Sequence, residues 1–474
     1  MRTRLPAVLS GLLAGLSLVA ACSGSSEAPG QSRQRVSLLV SGDYVVTVDP
    51  ARHVYAPGAV AVDGDRIVAV GPADEVRGRY EAAETIDAPG GVVMPGLVNT
   101  HTHAPMVLYR GLADDLALQD WLERYIFPAE AKTVSPEFVR AGTRLAALEM
   151  IESGTTTFTD MYYFEEEIAA VAKAAGLRGV LGQTLIQFPV ADAKTPAEGL
   201  ARAERFMKAW AGDALIVPTV APHSPYTLDA ATLERSRELA DRFGAPMLIH
   251  VAETETELGD SEAAHQLTPV AWLDSLGLFR GPTLVAHAVW VTPADIATLA
   301  ARHVAVAHNP ESNMKLASGA APVTDLRSAG VAVGLGTDGA ASNNDLDLFE
   351  AMRQASFLQK LRTRDPRAIP ALAAIEMATI DGARALGLGA LTGSLEPGKR
   401  ADVITVSMAA ARQAPIYDPL SHLVYVTRGD DVRDVVVNGR VLMRDRRVLT
   451  LDAPAILAEA KVWAARVRAA VTSR

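Results

Sequence analysis

Two histidines one residue apart, His101 and His103, close the apolar run Val92-Val93-Met94-Pro95-Gly96-Leu97-Val98. In a strand, residues i and i+2 point to the same face, so both imidazoles can aim at one metal ion. Other groups that bind metals or move protons stand at or just past the ends of later apolar runs. They are His223, His250 with Glu253 three residues on, His287, His308 and Asp338. Three imidazoles and a carboxylate suit zinc, with one position left for water. The expected ligands are His101, His103, His250 and Asp338. Zinc lowers the pKa of a bound water to about 7 and supplies hydroxide at neutral pH. Glu253 is placed to carry a proton from that water to a ring nitrogen of a substrate. His287 is placed to hydrogen-bond the water or the oxygen it becomes, and Asp338 to take the proton that the hydroxide still carries. One zinc per chain is expected, although iron, nickel or manganese also fill such N/O sites.

Taken singly, each residue has a plainer reading. Asp338 suits a turn or helix cap, and a lone His223 or His287 suits a structural histidine. His308 reads as structural, and His53, His265, His303 and His422 as structural or solvated. The joint pattern is more specific than its parts, because six of the ten histidines fall at or just past the ends of apolar runs.

The elements that must position these groups follow from periodicity. Apolar runs recur at 92–99, 155–160, 178–184, 214–221, 246–251, 283–287, 304–308 and 331–337, with amphipathic stretches between most of them. Residues 136–153 and 229–243 are the clearest helices, the second closed by Gly244, and Thr292-Pro293 is a helix start. Eight strand–helix units over residues 96–391 predict an α/β fold of the (β/α)8 TIM-like barrel type, whose active sites lie at the C-terminal ends of the strands. The alternative is a doubly wound open sheet, but no glycine-rich phosphate fingerprint follows the first run. Short strands with turn signals, such as Asp63-Gly64-Asp65 and Asn438-Gly439, fill residues 36–95 and 392–450. These two stretches are expected to pair into one small β-sandwich domain built from both chain ends. Residues 451–474 read as a C-terminal helix with Asp452 as N-cap.

The chain of 474 residues is 49% hydrophobic, enough for a substantial core, and its net charge of −10 argues against nucleic-acid binding. Its single cysteine, Cys22, excludes an internal disulfide and thiolate metal sites elsewhere. It also excludes the zinc deaminases that hold their metal with paired cysteines. Residues 1–22 read as an export signal: Arg2 and Arg4, an apolar stretch, then Val19-Ala20-Ala21-Cys22, which resembles a bacterial lipobox. Lipidation at Cys22 would make the protein an exported lipoprotein facing the periplasm or cell exterior, held at the membrane by its lipid alone. A plain secretory cut after Ala21 is the alternative. Residues 23–35 read as a flexible tether.

The residues at the strand ends carry a resemblance to the amidohydrolase superfamily, in its single-metal cytosine/adenosine deaminase-like branch. It covers about residues 36–460. Its motifs are Asn99 to Met106, Gly111 to Leu116 with Trp121, Pro222 to Tyr226, His250 to Glu253, Asn309 to Leu316, and Gly336 to Asn344. They are most similar to the 5'-methylthioadenosine/S-adenosylhomocysteine deaminase family. The resemblance implies zinc on the four ligands already chosen, with Glu253 as proton shuttle and His287 beside the attacked centre. It also implies that His223 contacts a purine and that Glu130 accepts from ribose hydroxyls beside Trp121.

The run 214–221 has no lysine, so the carboxylated-lysine bridge of two-metal relatives is missing. Gln183 stands where relatives that use S-adenosylhomocysteine place an arginine, and residues 187–195 contain none, Lys194 being their one cation. A buried carboxylate without a cation is costly, so neutral 5'-substituents are expected. The implied activity is zinc-dependent deamination of adenine nucleosides (methylthioadenosine, adenosine or S-adenosylhomocysteine type) to inosine-type products and ammonia. Related hydrolysis of guanine, pterin or s-triazine rings is the enzymatic alternative, and a lipid-anchored non-catalytic binding protein is the other. A homo-oligomer through the small domain is left open.

Overall fold

The computed structural model describes residues 33–472. The expected leader, Cys22 and most of the tether lie outside the described residues. The first strand, Gln34–Val46, begins inside the stretch read as tether.

Eight parallel strands form the central sheet: β1 (Leu97–Thr102), β2 (Thr155–Tyr162), β3 (Arg178–Leu185), β4 (Ile216–Pro222), β5 (Met247–Val251), β6 (Thr283–His287), β7 (Ala305–His308) and β8 (Val333–Leu335). They pair in chain order, and helices cover the outside. Almost every strand residue is buried, as a parallel sheet covered on both faces requires. The seam between β8 and β1 closes through side chains as well as backbone. Asn99 Oδ1 accepts from Thr337 N–H at 3.1 Å, its Nδ2 donates to Thr337 Oγ1 at 2.8 Å, and Asp338 N–H donates to His101 O at 2.9 Å. Gly336 lets the two ends approach: a Cβ there would lie 2.3 Å from Asn309 Oδ1 and 2.8 Å from His101 Cβ.

The expected run 92–99 is split in two. Val92 to Pro95 finish a long strand, Tyr80–Pro95, of the small domain, and β1 starts at Leu97. Gly96 marks the division, because a Cβ there would overlap Thr156. Hydrophobicity alone runs unbroken through both domains, so it hides this boundary.

The small domain is one mixed sheet of nine strands drawn from both ends of the chain, rather than two separately hydrogen-bonded sheets. Strand Tyr80–Pro95 is its centre, parallel to Gln34–Val46 on one side and antiparallel to Val403–Ser407 on the other. Leu38, Val40, Val60, Val62, Ile86 and Val403 belong to its own core. Both expected hairpins form, with Gly64 at φ 58° and Asn438-Gly439 at φ 51° and 77°. Helix Pro419–Tyr425 lies in the stretch assigned to this domain but packs on helices Leu348–Thr363 and Ala371–Met377 of the barrel. A buried ion pair ties the two domains: Arg178, at the start of β3, donates to Asp402 at 3.1 Å.

The helix ends follow their local chemistry. Helix Ala230–Phe243 is capped by Asp229, which accepts from Thr232 N–H, and ends at Gly244 in the left-handed region. Helix Pro293–Ala301 opens with a capping box between Thr292 and Asp295. The C-terminal helix Ala453–Thr472 docks on Pro136–Glu152, where Trp463 meets Phe138 edge to face at 5.4 Å. Among the described residues, no helix is long and apolar enough to cross a membrane.

Candidate active site

The C-terminal ends of the strands converge on one cavity of about 610 Å³. His101 and His103 arrive from the end of β1, His250 from β5, and Asp338 from the loop after β8. Asp338 Oδ1 lies 3.4 Å from His101 Nε2 and 3.3 Å from His103 Nε2. His250 Nε2 lies 3.3 Å from His103 Nε2. The opposite ring nitrogens are held by backbone: His103 Nδ1 donates to Met161 O at 2.8 Å, and His250 Nδ1 to His223 O at 2.7 Å. These bonds orient both rings and turn their Nε2 atoms inward.

The cluster fits a cation. His101 Nε2 is buried without a hydrogen-bond partner. His103 Nε2 and His250 Nε2 face each other with both Nδ1 atoms committed to backbone carbonyls, the arrangement of two nitrogens that ligate one metal. Asp338 Oδ2 is fixed by Ser312 Oγ at 2.7 Å and Ser342 Oγ at 3.0 Å, while Oδ1 accepts from Gly339 N–H at 2.8 Å and turns its other lone pair to the cluster. Asp338, His287 and Ala252 all have positive φ (61°, 75° and 56°), so the backbone is strained where it delivers these side chains.

Burial and neighbours set the charges. Burial pulls His101 down to about 4, against the pull of Asp338. Burial also works against a charged His103, but Asp338 and Asp160 outweigh it and push His103 up to about 9. His250 is held well below its usual range by burial and by the surrounding imidazoles. Burial raises the Asp338 carboxyl, but the nearby imidazoles of His101 and His103 win and hold it well below the ordinary range.

Glu253 and His287 form the second half of the site. His287 Nε2 lies 3.7 Å from Glu253 Oε2. Its Nδ1 donates to Asn313 Oδ1 at 2.9 Å, so in the neutral ring Nε2 is an acceptor facing the cavity. Burial raises Glu253, partly offset by His287. His223, Glu130 and Trp121 line the same cavity. Burial brings His223 down to about 3, so it is neutral. Glu130 accepts from Tyr162 Oη at 2.6 Å, and burial pushes it up to about 7.

Gln183 does not line the cavity. Its Nε2 donates to Asp192 Oδ2 at 2.8 Å and to Thr184 O at 3.2 Å, and Thr184 is the β3 residue at the cavity wall. The expected substrate-binding place of Gln183 on this cavity is thus taken by Thr184 in the lining. Its parity on the strand is the reason: neighbouring residues point to opposite faces. His308 is fully buried, away from the cavity lining.

Several supporting residues carried no role in the sequence reading. Glu257 is the clearest. Thr254-x-x-Glu257 has the capping-box pattern, and Thr254 does accept from Glu257 N–H. The Glu257 carboxylate, however, reaches past the cap to Ala252 N–H and Glu253 N–H, both at 2.8 Å. Ser312, Asn313 and Ser342 lie inside recognisable motifs, but their partners are distant in sequence. Segment 104–133 between β1 and β2, from which the sequence reading names only 104–106, the run 111–116, Trp121 and Glu130, carries no expected secondary structure. Its π-helical turn Leu122–Ile126 and helix Phe127–Thr133 place Leu122, Ile126, Phe127 and Glu130 on the cavity.

Residues 92–442 match the sequence model of the Amidohydrolase family, and residues 58–80 match a bacterial imidazolonepropionase-like composite domain. The chain belongs to the amidohydrolase family. Among its relatives in this family is the 5-methylthioadenosine/S-adenosylhomocysteine deaminase of Syntrophobacter fumaroxidans. It is 46% identical over 92% of this chain and 99% of the relative. The 5'-deoxyadenosine deaminase of Methanosarcina mazei is 44% identical over 92% and 99%. The crystal structure of an adenosine deaminase from Xanthomonas campestris, with bound zinc, superposes with a TM-score of 0.91. It is 42% identical over 92% of this chain and all of that one. This amidohydrolase thus shares its barrel, and most of its length, with deaminases of adenine nucleosides.

Proposed function

We propose that this amidohydrolase uses zinc to deaminate adenine nucleosides hydrolytically, releasing ammonia and an inosine-type product. The observation that carries this reading is the convergence of His101, His103, His250 and Asp338 with the Glu253–His287 pair on one cavity. Relatives named as deaminases of 5'-substituted or 5'-deoxy adenosines, and a zinc-bearing adenosine deaminase, support it.

Zinc, when bound by these four residues, supplies a water that is nucleophilic at neutral pH. Glu253 takes a proton from the attacking water and gives it to N1 of the purine, which makes C6 electrophilic. His287 Nε2, oriented by Asn313, accepts a hydrogen bond from the same water. The water oxygen adds to C6, Asp338 takes the proton that remains on that oxygen, and the C6–N bond breaks as this second proton passes to the amino group, which leaves as ammonia. Neutral His223 contacts the purine without adding charge. Glu130 accepts from sugar hydroxyls at the far wall.

Among the described residues, no lysine or arginine lines the cavity. Arg202 is committed to Asp192 and Glu166, and burying a substrate carboxylate without a cation is costly. Nucleosides with neutral 5'-groups are therefore the preferred class.

The deciding experiment measures metal content and ammonia release from purified protein across purine nucleosides, guanine, pterins and s-triazines. Turnover confined to the free bases or triazines would overturn this reading. Export and lipidation at Cys22 are also proposed, on the sequence of residues 1–22 alone. Globomycin-sensitive processing and acyl-chain labelling lost in Cys22→Ser would establish them.

A further inference from the structure

A second cleft, of about 570 Å³, adjoins the active-site cavity. The two share Phe127, Glu130 and Tyr163 as lining residues. Its other wall is the loop after β3, from Phe188 to Ala191. Phe188 is 40% exposed, large for an aromatic ring on a loop, and it meets Phe127 edge to face at 5.4 Å.

The lining chemistry is one-sided. Among the described residues, the cleft is walled by hydrocarbon side chains apart from Glu130 and the Tyr163 hydroxyl, and no lysine or arginine lines it. The neighbouring cations are engaged elsewhere. Lys132 Nζ donates to Ala470 O at 2.8 Å, and Arg202 pairs with Asp192 at 3.2 Å. An anionic group entering here would meet the Glu130 carboxylate and no positive partner. An apolar group would instead bury its surface against two phenyl rings and a proline–valine edge.

We infer that this cleft is a subsite for a bulky apolar substituent on the sugar of the substrate. The inference rests on the nucleoside reading above. With C6 of the purine at Glu253 and His287, and the sugar hydroxyls at Glu130, a substituent at the sugar's 5' position extends beyond Glu130, where the cleft opens. The cleft thus extends the neutral 5' preference to groups much larger than methylthio, such as alkylthio and arylthio chains, and it disfavours an amino-acid tail.

The test compares kcat/KM for adenosine, 5'-methylthioadenosine, 5'-phenylthio-5'-deoxyadenosine and S-adenosylhomocysteine. It also measures calorimetric Kd values for inosine and 5'-phenylthio-5'-deoxyinosine, which do not react. The phenylthio product should bind at least about tenfold tighter than inosine, the gain expected from filling an apolar pocket. The phenylthio substrate should exceed S-adenosylhomocysteine in kcat/KM by at least that factor. Val190→Arg should shift the phenylthio-to-S-adenosylhomocysteine ratio toward the charged substrate. Equal Kd values for the two products, or a ratio that Val190→Arg leaves in place, overturn the subsite even when adenosine is deaminated. Failure to deaminate adenosine, with neither product bound, overturns the nucleoside reading and the subsite together.

Discussion

Glu257 grips the peptide that carries Glu253. One of its carboxylate oxygens accepts from Glu253 N–H and the other from Ala252 N–H, each at 2.8 Å. Two donors need two acceptor oxygens, so the geometry favours the ionised carboxylate, although burial pushes Glu257 up to about 7. Ala252 has φ 56°, a strained conformation for alanine, and Glu257 holds it there.

Glu257→Gln turns one acceptor into an NH₂ group facing a backbone N–H. The turn relaxes and Glu253 shifts. A displacement on that scale lowers kcat by about 10- to 100-fold, with KM and metal content retained. Steady-state kinetics beside metal analysis checks this. Metal loss in proportion to activity would reduce Glu257 to a merely structural role.

Glu253→Gln keeps the cavity shape but removes the carboxylate proposed above as proton carrier. A loss of about 10²- to 10⁴-fold in kcat is expected, with metal bound as before. The wild type also has a signature in pH. Glu253 must start ionised to take a proton, and burial raises it above the ordinary glutamate value of 4.5. Activity therefore falls as pH drops, with its acid limb above 4.5, and Glu253→Gln should lack that limb. Wild-type turnover in this variant would end the assignment.

Stripping the metal should abolish turnover, and added zinc should restore it. In the metal-free chain His103 is pushed up to about 9, so it carries a proton at pH 7. A metal can bind His103 Nε2 only after that proton leaves, so zinc addition at pH 7 releases it together with what the bound water gives up. The His103 share shrinks as pH rises through 9. An indicator-dye titration reads the sum, and zinc uptake at pH 7 without proton release would contradict the ligand role of His103.

Arg178→Ala leaves Asp402 buried without its cation. Breaking such a pair costs about 3–5 kcal/mol of stability. Asp402 keeps Thr392 and the backbone of Asn438, which limits the loss to the lower end. Denaturant unfolding should show the drop, while KM at 25 °C stays unchanged because the pair sits at the opposite end of β3 from the cavity.

Lys315 Nζ bridges Asp114 Oδ1 at 2.6 Å and Asn344 Oδ1 at 2.7 Å. This latch joins the loop before Leu118 and Trp121 to the loops after β7 and β8. It is partly exposed, so its worth is about 0.2–1 kcal/mol. Asp114→Asn should raise KM by no more than about fivefold, and added salt should raise the wild-type KM in the same direction. A KM independent of both would show that the latch does not hold the cavity wall.

The sequence alone determined the features that rest on local physics. Strand-end histidines, helix caps such as Asp229 and Thr292, and the turns at Gly64 and Asn438-Gly439 each depend on neighbours a few residues away. The spacing of His101 and His103 made them a pair before any fold was known. Tertiary structure decided whatever depends on which distant segments meet. The seam through Asn99 and Thr337 set the reach of Asp338 to the histidines, and Ser312 and Ser342 turned Oδ2 away from them. The division at Gly96 required a partner, Thr156, that periodicity cannot see. The choice of Thr184 over Gln183 turned on the phase of one strand, where a shift of a single residue exchanges the cavity face for the buried outer face.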